Sequence, residues 1–84
     1  NEINSVNVFP SPADNELTVD VDLKNNISLS YEIYDIYGRL HRSAKMNSTK
    51  EKVDVSNLSS GKYILKLNDS RRKTLYATQF SITR

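Results

Sequence analysis

The chain has 84 residues, no cysteine, no tryptophan, and 12 basic against 10 acidic side chains, for a net charge of +2. That length is one domain near the lower limit for a single unstapled core, and the missing cysteine excludes disulfides and thiolate metal centres. The near-balanced total charge does not mark a nucleic-acid binder, and no apolar run approaches the roughly 20 residues of a membrane-spanning helix.

A core this small predicts a modest folding free energy of about 3–6 kcal/mol. The sequence opens at Asn1 without an initiator methionine or a signal peptide. It therefore reads as a domain of a longer, exported protein, with residues 1–5 as a linker remnant and 6–84 as the domain.

A short first strand is expected at Val6 to Phe9. Phe9-Pro10-Ser11-Pro12-Ala13 follows. Its two prolines remove two amide donors and fix φ, so the segment is a turn or polyproline-like stretch. Glu16 to Leu23 alternates, with Leu17, Val19, Val21 and Leu23 on one face and Thr18, Asp20 and Asp22 on the other, as in a half-buried strand. Lys24-Asn25-Asn26 is a polar turn.

Tyr31 to Arg39 holds three of the five tyrosines and the first of two glycines. Leu29, Tyr31 and Ile33 share one parity; Tyr34 and Ile36 take the other. Either this strand is buried on both faces or a bulge shifts its register at Asp35. Gly38 can supply a positive-φ turn. A hairpin is expected there, with Leu40 packing inward while Arg39 and His41 face solvent. Asn47 to Lys50 reads as a loop and Lys52 to Val55 as a short strand. Leu58, alone among turn residues, is expected to plug the core. From Gly61, Tyr63, Leu65 and Leu67 face one way. Arg71-Arg72-Lys73 sits on the next turn, and a last strand from about Thr74 to Thr83 carries Tyr76, Phe80 and Ile82 inward. About seven short strands with turns every ten residues or so, and no helical period, predict an all-β fold: an immunoglobulin-like antiparallel β-sandwich.

Catalytic chemistry finds little footing. His41, the only histidine, is best read as a solvated residue. No G-x-S-x-G nucleophile pattern occurs. Asp20 and Asp22 fit an exposed strand face better than a carboxylate pair or a calcium site. Arg71-Arg72-Lys73 reads as a solvated hairpin tip, and Tyr31 and Tyr63, of core parity, pack with their hydroxyls at the rim in preference to forming a stacking platform, with Tyr34 left open. The N-x-S/T triplets at Asn26, Asn47, Asn57 and Asn68 carry no weight in a chain this rich in Asn and Ser. No cofactor or metal is expected. An edge strand of a short sandwich can be extended by another chain, and the last strand is the candidate.

Three segments together resemble one family. Val8-Phe9-Pro10-Ser11-Pro12-Ala13 with Leu17-Thr18-Val19 is similar to the opening "Y/F-P-N-P-A … L-x-V" of the C-terminal sorting domains of the type IX secretion system. Tyr34 to Leu40 resembles the family's "Y-D-x-x-G-R-x-V". Val53 to Leu67 resembles its "I-D-L-S-x-L-x-x-G-x-Y-x-L-x-L". The order and spacing agree over nearly the whole chain. The resemblance implies an export address, not an enzyme. It would be fused to a cargo protein in bacteria of the Bacteroidetes type, pass through the periplasm, and be read by the outer-membrane translocon. A sortase-like protease would then remove it and join the cargo to the cell surface. On this reading Pro10, Pro12 and Ala13 shape the first turn, and Asp35, Gly38 and Arg39 set the hairpin. Leu58, Gly61 and Tyr63 close the core, while Phe80, Ile82 and Arg84 belong to the strand that presents the recognition surface. Two departures stand out: Ser11 replaces the family's asparagine, and Arg84 is the only base where the family often has spaced lysines. Self-association is left open. The alternatives are a β-sandwich adhesion or carbohydrate-binding module of a surface protein, or a spacer.

Overall fold

The structure is a computed structural model that describes residues 2–10 and 14–83. Ser11, Pro12, Ala13 and Arg84 lie outside the described residues, so the expectations placed on Pro12, Ala13 and Arg84 have no structural counterpart here.

The seven strands are β1 (Ile3–Phe9), β2 (Glu16–Leu23), β3 (Ser30–Asp35), β4 (Leu40–Lys45), β5 (Lys50–Asp54), β6 (Gly61–Asn68) and β7 (Thr74–Ile82). They form two antiparallel sheets, one in the order β1-β2-β5 and one in the order β4-β3-β6-β7. The described residues contain no helix. The two sheets face each other as a sandwich 36 × 22 × 17 Å across.

The core follows from alternation. Leu17, Val19 and Val21 of β2 meet Tyr31 and Ile33 of β3, Tyr63, Leu65 and Leu67 of β6, and Phe80 and Ile82 of β7. Every one of these is buried, and each comes from the inward parity of its strand. Leu58 is buried as a plug from the loop between β5 and β6. Its amide donates to the Val55 carbonyl at 3.0 Å, which folds the loop back over the core.

Five expectations need correction. The first strand begins at Ile3, which pairs with Leu23, and not at Val6; a register shift between Ile3 and Ser5 hides this in the sequence. β5 begins at Lys50 because Asp20 offers it a partner across the sheet. The irregularity in β3 lies between Ile33 and Tyr34, on the side that pairs with β4, and not at Asp35. That shift reverses the parity of β4 near the turn. Leu40 therefore points outward and is exposed, while His41 turns to the Asp35 carboxylate. Thr18, assigned to the solvent face, is buried between its cross-strand neighbours Phe9 and Lys52.

The registers also sort charge by face. Glu16, Asp20, Asp22 and Asp54 share the outward parity of the three-stranded sheet with Lys50 and Lys52. The outward parity of the four-stranded sheet carries Lys45, Lys62 and Lys66 with one acid, Glu32. A nearly neutral chain is folded into one acidic face and one basic face.

Candidate functional site

The three motif segments meet at one end of the sandwich. Phe9 pairs with Thr18 at the end of β1, and Glu16 pairs with Asp54 where β2 starts and β5 stops. Asp35 pairs with Tyr63, and Gly61 with Ile82, at the same end of the other sheet. The chain thus returns Pro10, the Asp35–Arg39 hairpin and the Ser56–Gly61 loop to a single pole.

Asp35 organises that pole. It ends β3 on the inward side, and its side chain is 10 % exposed. Oδ1 accepts the Tyr37 amide at 2.9 Å and the Arg39 amide at 3.0 Å. Oδ2 accepts Arg39 Nε at 2.7 Å and His41 Nε2 at 2.9 Å. An ionised carboxylate only accepts, so the Nε2–H of His41 must be the donor. The backbone closes the same loop, since the Asp35 amide donates to the Arg39 carbonyl and the Gly38 amide to the Asp35 carbonyl. Gly38 stands at φ +85°, where a side chain is strained. The His41 hydrogen bond, then the Arg39 and Tyr37 bonds, outweigh desolvation and hold the Asp35 carboxyl well below the usual carboxylate range.

The pole is then fastened to the core. The His41 ring meets Tyr63 edge-on at 5.7 Å, and Tyr63 stacks on Phe80 at 5.8 Å. The Tyr63 hydroxyl donates to the Ser59 carbonyl at 2.7 Å, which ties β6 to the Leu58 loop. At the base of that loop the Asp54 carboxylate accepts the Ser56 amide at 2.9 Å. The Ser56 bonds, helped by Arg42, lower the Asp54 carboxyl.

The turn between β6 and β7 repeats the Asp35 design. Asp69 Oδ1 accepts the amides of Arg71 and Lys73, both at 2.9 Å. The Asp69 amide donates to the Lys73 carbonyl, and the Arg72 amide to the Asp69 carbonyl. Arg72 takes the place of Gly38, at φ 65°. The signal for this was in the sequence: an aspartate four residues before a basic residue, in Asp35 to Arg39 and again in Asp69 to Lys73.

Of the sequence-predicted site residues, Asp35, Gly38, Arg39, Leu58, Gly61 and Tyr63 gather at the pole, with Pro10 on the adjoining bend. Phe80 and Ile82 turn inward and are buried, so only the backbone edge of β7 and its outward side chains face away from the core. His41 was missed as a structural partner. A cleft of ≈ 280 Å³ opens between the hairpin and the Ser59–Tyr63 segment, lined by Asp35, Tyr37, Arg39, His41, Ser60 and Lys62. Its polar groups hold one another, and this is a turn-locking network in its chemistry. Among the described residues, no group of three or more His, Asp or Glu side chains could hold a metal ion.

The family model described as secretion system C-terminal sorting domain matches residues 7–79. The chain belongs to that family. The match runs from Asn7 within β1 well into β7, and so takes in all three segments that meet at the pole. No curated protein matches the chain. A type IX sorting domain is a signal carried by a larger exported protein, directing it to the cell surface or the medium. The family is not an enzymatic one.

Proposed function

We propose that this sorting domain is read as a folded sandwich by the outer-membrane translocon, that it catalyses nothing itself, and that the machinery engages the edge of β7. The domain crosses the periplasm attached to its cargo. A sortase-like protease then removes it and attaches the cargo to the surface. The family match over residues 7–79 carries the reading.

The edge assignment has its own support. β7 is the last strand of the four-stranded sheet and pairs with β6 on one side. From Thr74 to Thr83 it has no charge, proline or glycine. The other edges are guarded: β5 has four charged residues in five, β4 carries Arg42 and Lys45, and β1 has a register shift. Charges and bulges are how sheets discourage added strands; β7 has no charge, and its one irregularity is confined to its start, at Leu75 opposite Leu67 and Asn68. The pole residues Asp35, Gly38, Arg39, Leu58, Gly61 and Tyr63 keep the tag folded, with Pro10 on the adjoining bend.

The test is to place glutamates at Ala77 and Gln79, both exposed and outward, in a cargo fusion. Ala77 lies opposite Lys66, so a glutamate there is compatible with the fold. Export should fall while circular dichroism and thermal midpoint stay native. Undiminished export would remove β7 as the recognition edge and leave the family assignment standing.

A further inference from the structure

Among the described residues, four large hydrophobic side chains are exposed, and three lie on the β3–β4 hairpin: Ile36 at 58 %, Tyr37 at 80 % and Leu40 at 51 %. Their exposure is not an accident of a loose turn, because Asp35 accepts two backbone amides of that turn, from Tyr37 and Arg39, and holds the Arg39 and His41 side chains beside it. Leu40 pairs with Tyr34, and Tyr34 with Ile64, on the outward side of the four-stranded sheet. The apolar tip therefore continues as a row across that face.

Cations flank this row. Arg39 lies with its guanidinium 5.7 Å from the Tyr37 ring centre, and Lys66 with its ammonium 4.9 Å from that of Tyr34. Lys62 and Lys45 share the face. The acids there are engaged: Glu32 accepts the Asn68 side-chain amide, and Asp35 is turned inward onto Arg39 and His41. The opposite sheet carries the acidic face. Only one side of the molecule can approach a negative surface without repulsion.

We propose that this basic face, led by the Ile36-Tyr37-Leu40 tip, docks on an anionic lipid bilayer. Two features single out a bilayer. A free anion or soluble polyanion would use the lysines and leave the apolar tip in water. A bilayer takes both, with lysines over the headgroups and the tip at the acyl boundary, where tyrosine is favoured. The tip also lies in the β3–β4 turn, beyond the end of β3 at Asp35, where its side chains stand exposed and free to enter a deformable surface. Membrane contact of this kind would hold a sorting domain near the plane in which its export machinery lies. The inference stands on surface chemistry and does not depend on β7.

The test is co-sedimentation of the whole chain with vesicles of phosphatidylcholine alone and with about 30 % phosphatidylglycerol, at low and high salt. Binding is expected to the anionic vesicles only, weakening several-fold when salt rises from about 0.1 to about 0.5 M. The triple variant I36S/Y37S/L40S should bind about tenfold less or weaker. All three positions are exposed, and circular dichroism checks the fold. The variant R71S/R72S/K73S, altered at the opposite end, should bind as the parent does. Absence of parent binding overturns the proposal. So does a triple-serine variant that binds like the parent, which would mean charge adsorption without insertion. Loss of binding in the variant altered at residues 71–73 would overturn it as well, by placing contact at the other end. None of these outcomes bears on family membership, which a cargo-export assay reads separately.

Discussion

Asp35 is a single carboxylate asked to close a hairpin, orient an arginine and anchor a histidine. Because its folded pKa is depressed, its ionised form is favoured by the fold. Its contribution is fully present above the unfolded carboxylate value, about 4, and is lost as pH falls from there toward the depressed folded value. Asp35→Asn should lower the thermal midpoint at pH 7, and the gap to the parent should narrow steadily between about pH 4 and about pH 2. A gap that stays constant across that range would mean the charge plays no part. The two aspartate turns allow a second comparison. Gly38 and Arg72 occupy the same left-handed position, and nothing lies within 4 Å of a Cβ built on Gly38. Backbone strain alone should therefore make Gly38→Ala destabilising by about 1 kcal/mol, while Arg72→Gly should stabilise by about 0.5–1 kcal/mol. Denaturant unfolding of the two variants measures both, and effects of the same sign would contradict the shared design.

At the level of elements, β6 and its preceding loop do most to join the pole to the core. Tyr63→Phe removes the bond to the Ser59 carbonyl but keeps the ring on His41 and Phe80, so a loss of about 1 kcal/mol is expected. Leu58→Ala should cost more, about 2–4 kcal/mol, because it opens a cavity under a loop with few other ties. Equal losses for the two would mean that Leu58 is not a plug. The strands were readable where alternation was clean. β2, β6 and β7 keep their parity over most of their length, with exceptions at Thr18 and at Asn68, so Leu17, Val19, Tyr63, Leu65, Phe80 and Ile82 could be placed inside from sequence alone. Legibility failed where the register slips. The shift between Ile33 and Tyr34 sends Leu40 to the outer face, since one residue of slip reverses a side chain's direction, and lets His41, exposed as expected, reach the Asp35 carboxylate. The shift between Ile3 and Ser5 concealed the start of β1 for the same reason. The pole was legible as motifs but not as a place, because only strand pairing brings residues 10, 35 and 61 to one end.

For the whole molecule, net charge was the least informative quantity in the sequence. A sum of +2 conceals two faces of opposite sign, and they emerge only once strand parity and sheet order are combined. The same arrangement leaves one strand edge uncharged and the tip of one hairpin exposed and apolar. The most direct measurement fuses residues 1–84 to the C-terminus of a periplasm-directed fluorescent protein, in a host with a working type IX system and in a translocon-deficient strain. Fluorescence should reach the cell surface or the medium only in the host with the translocon. Intact, folded fusion retained in the periplasm of both strains would contradict the account.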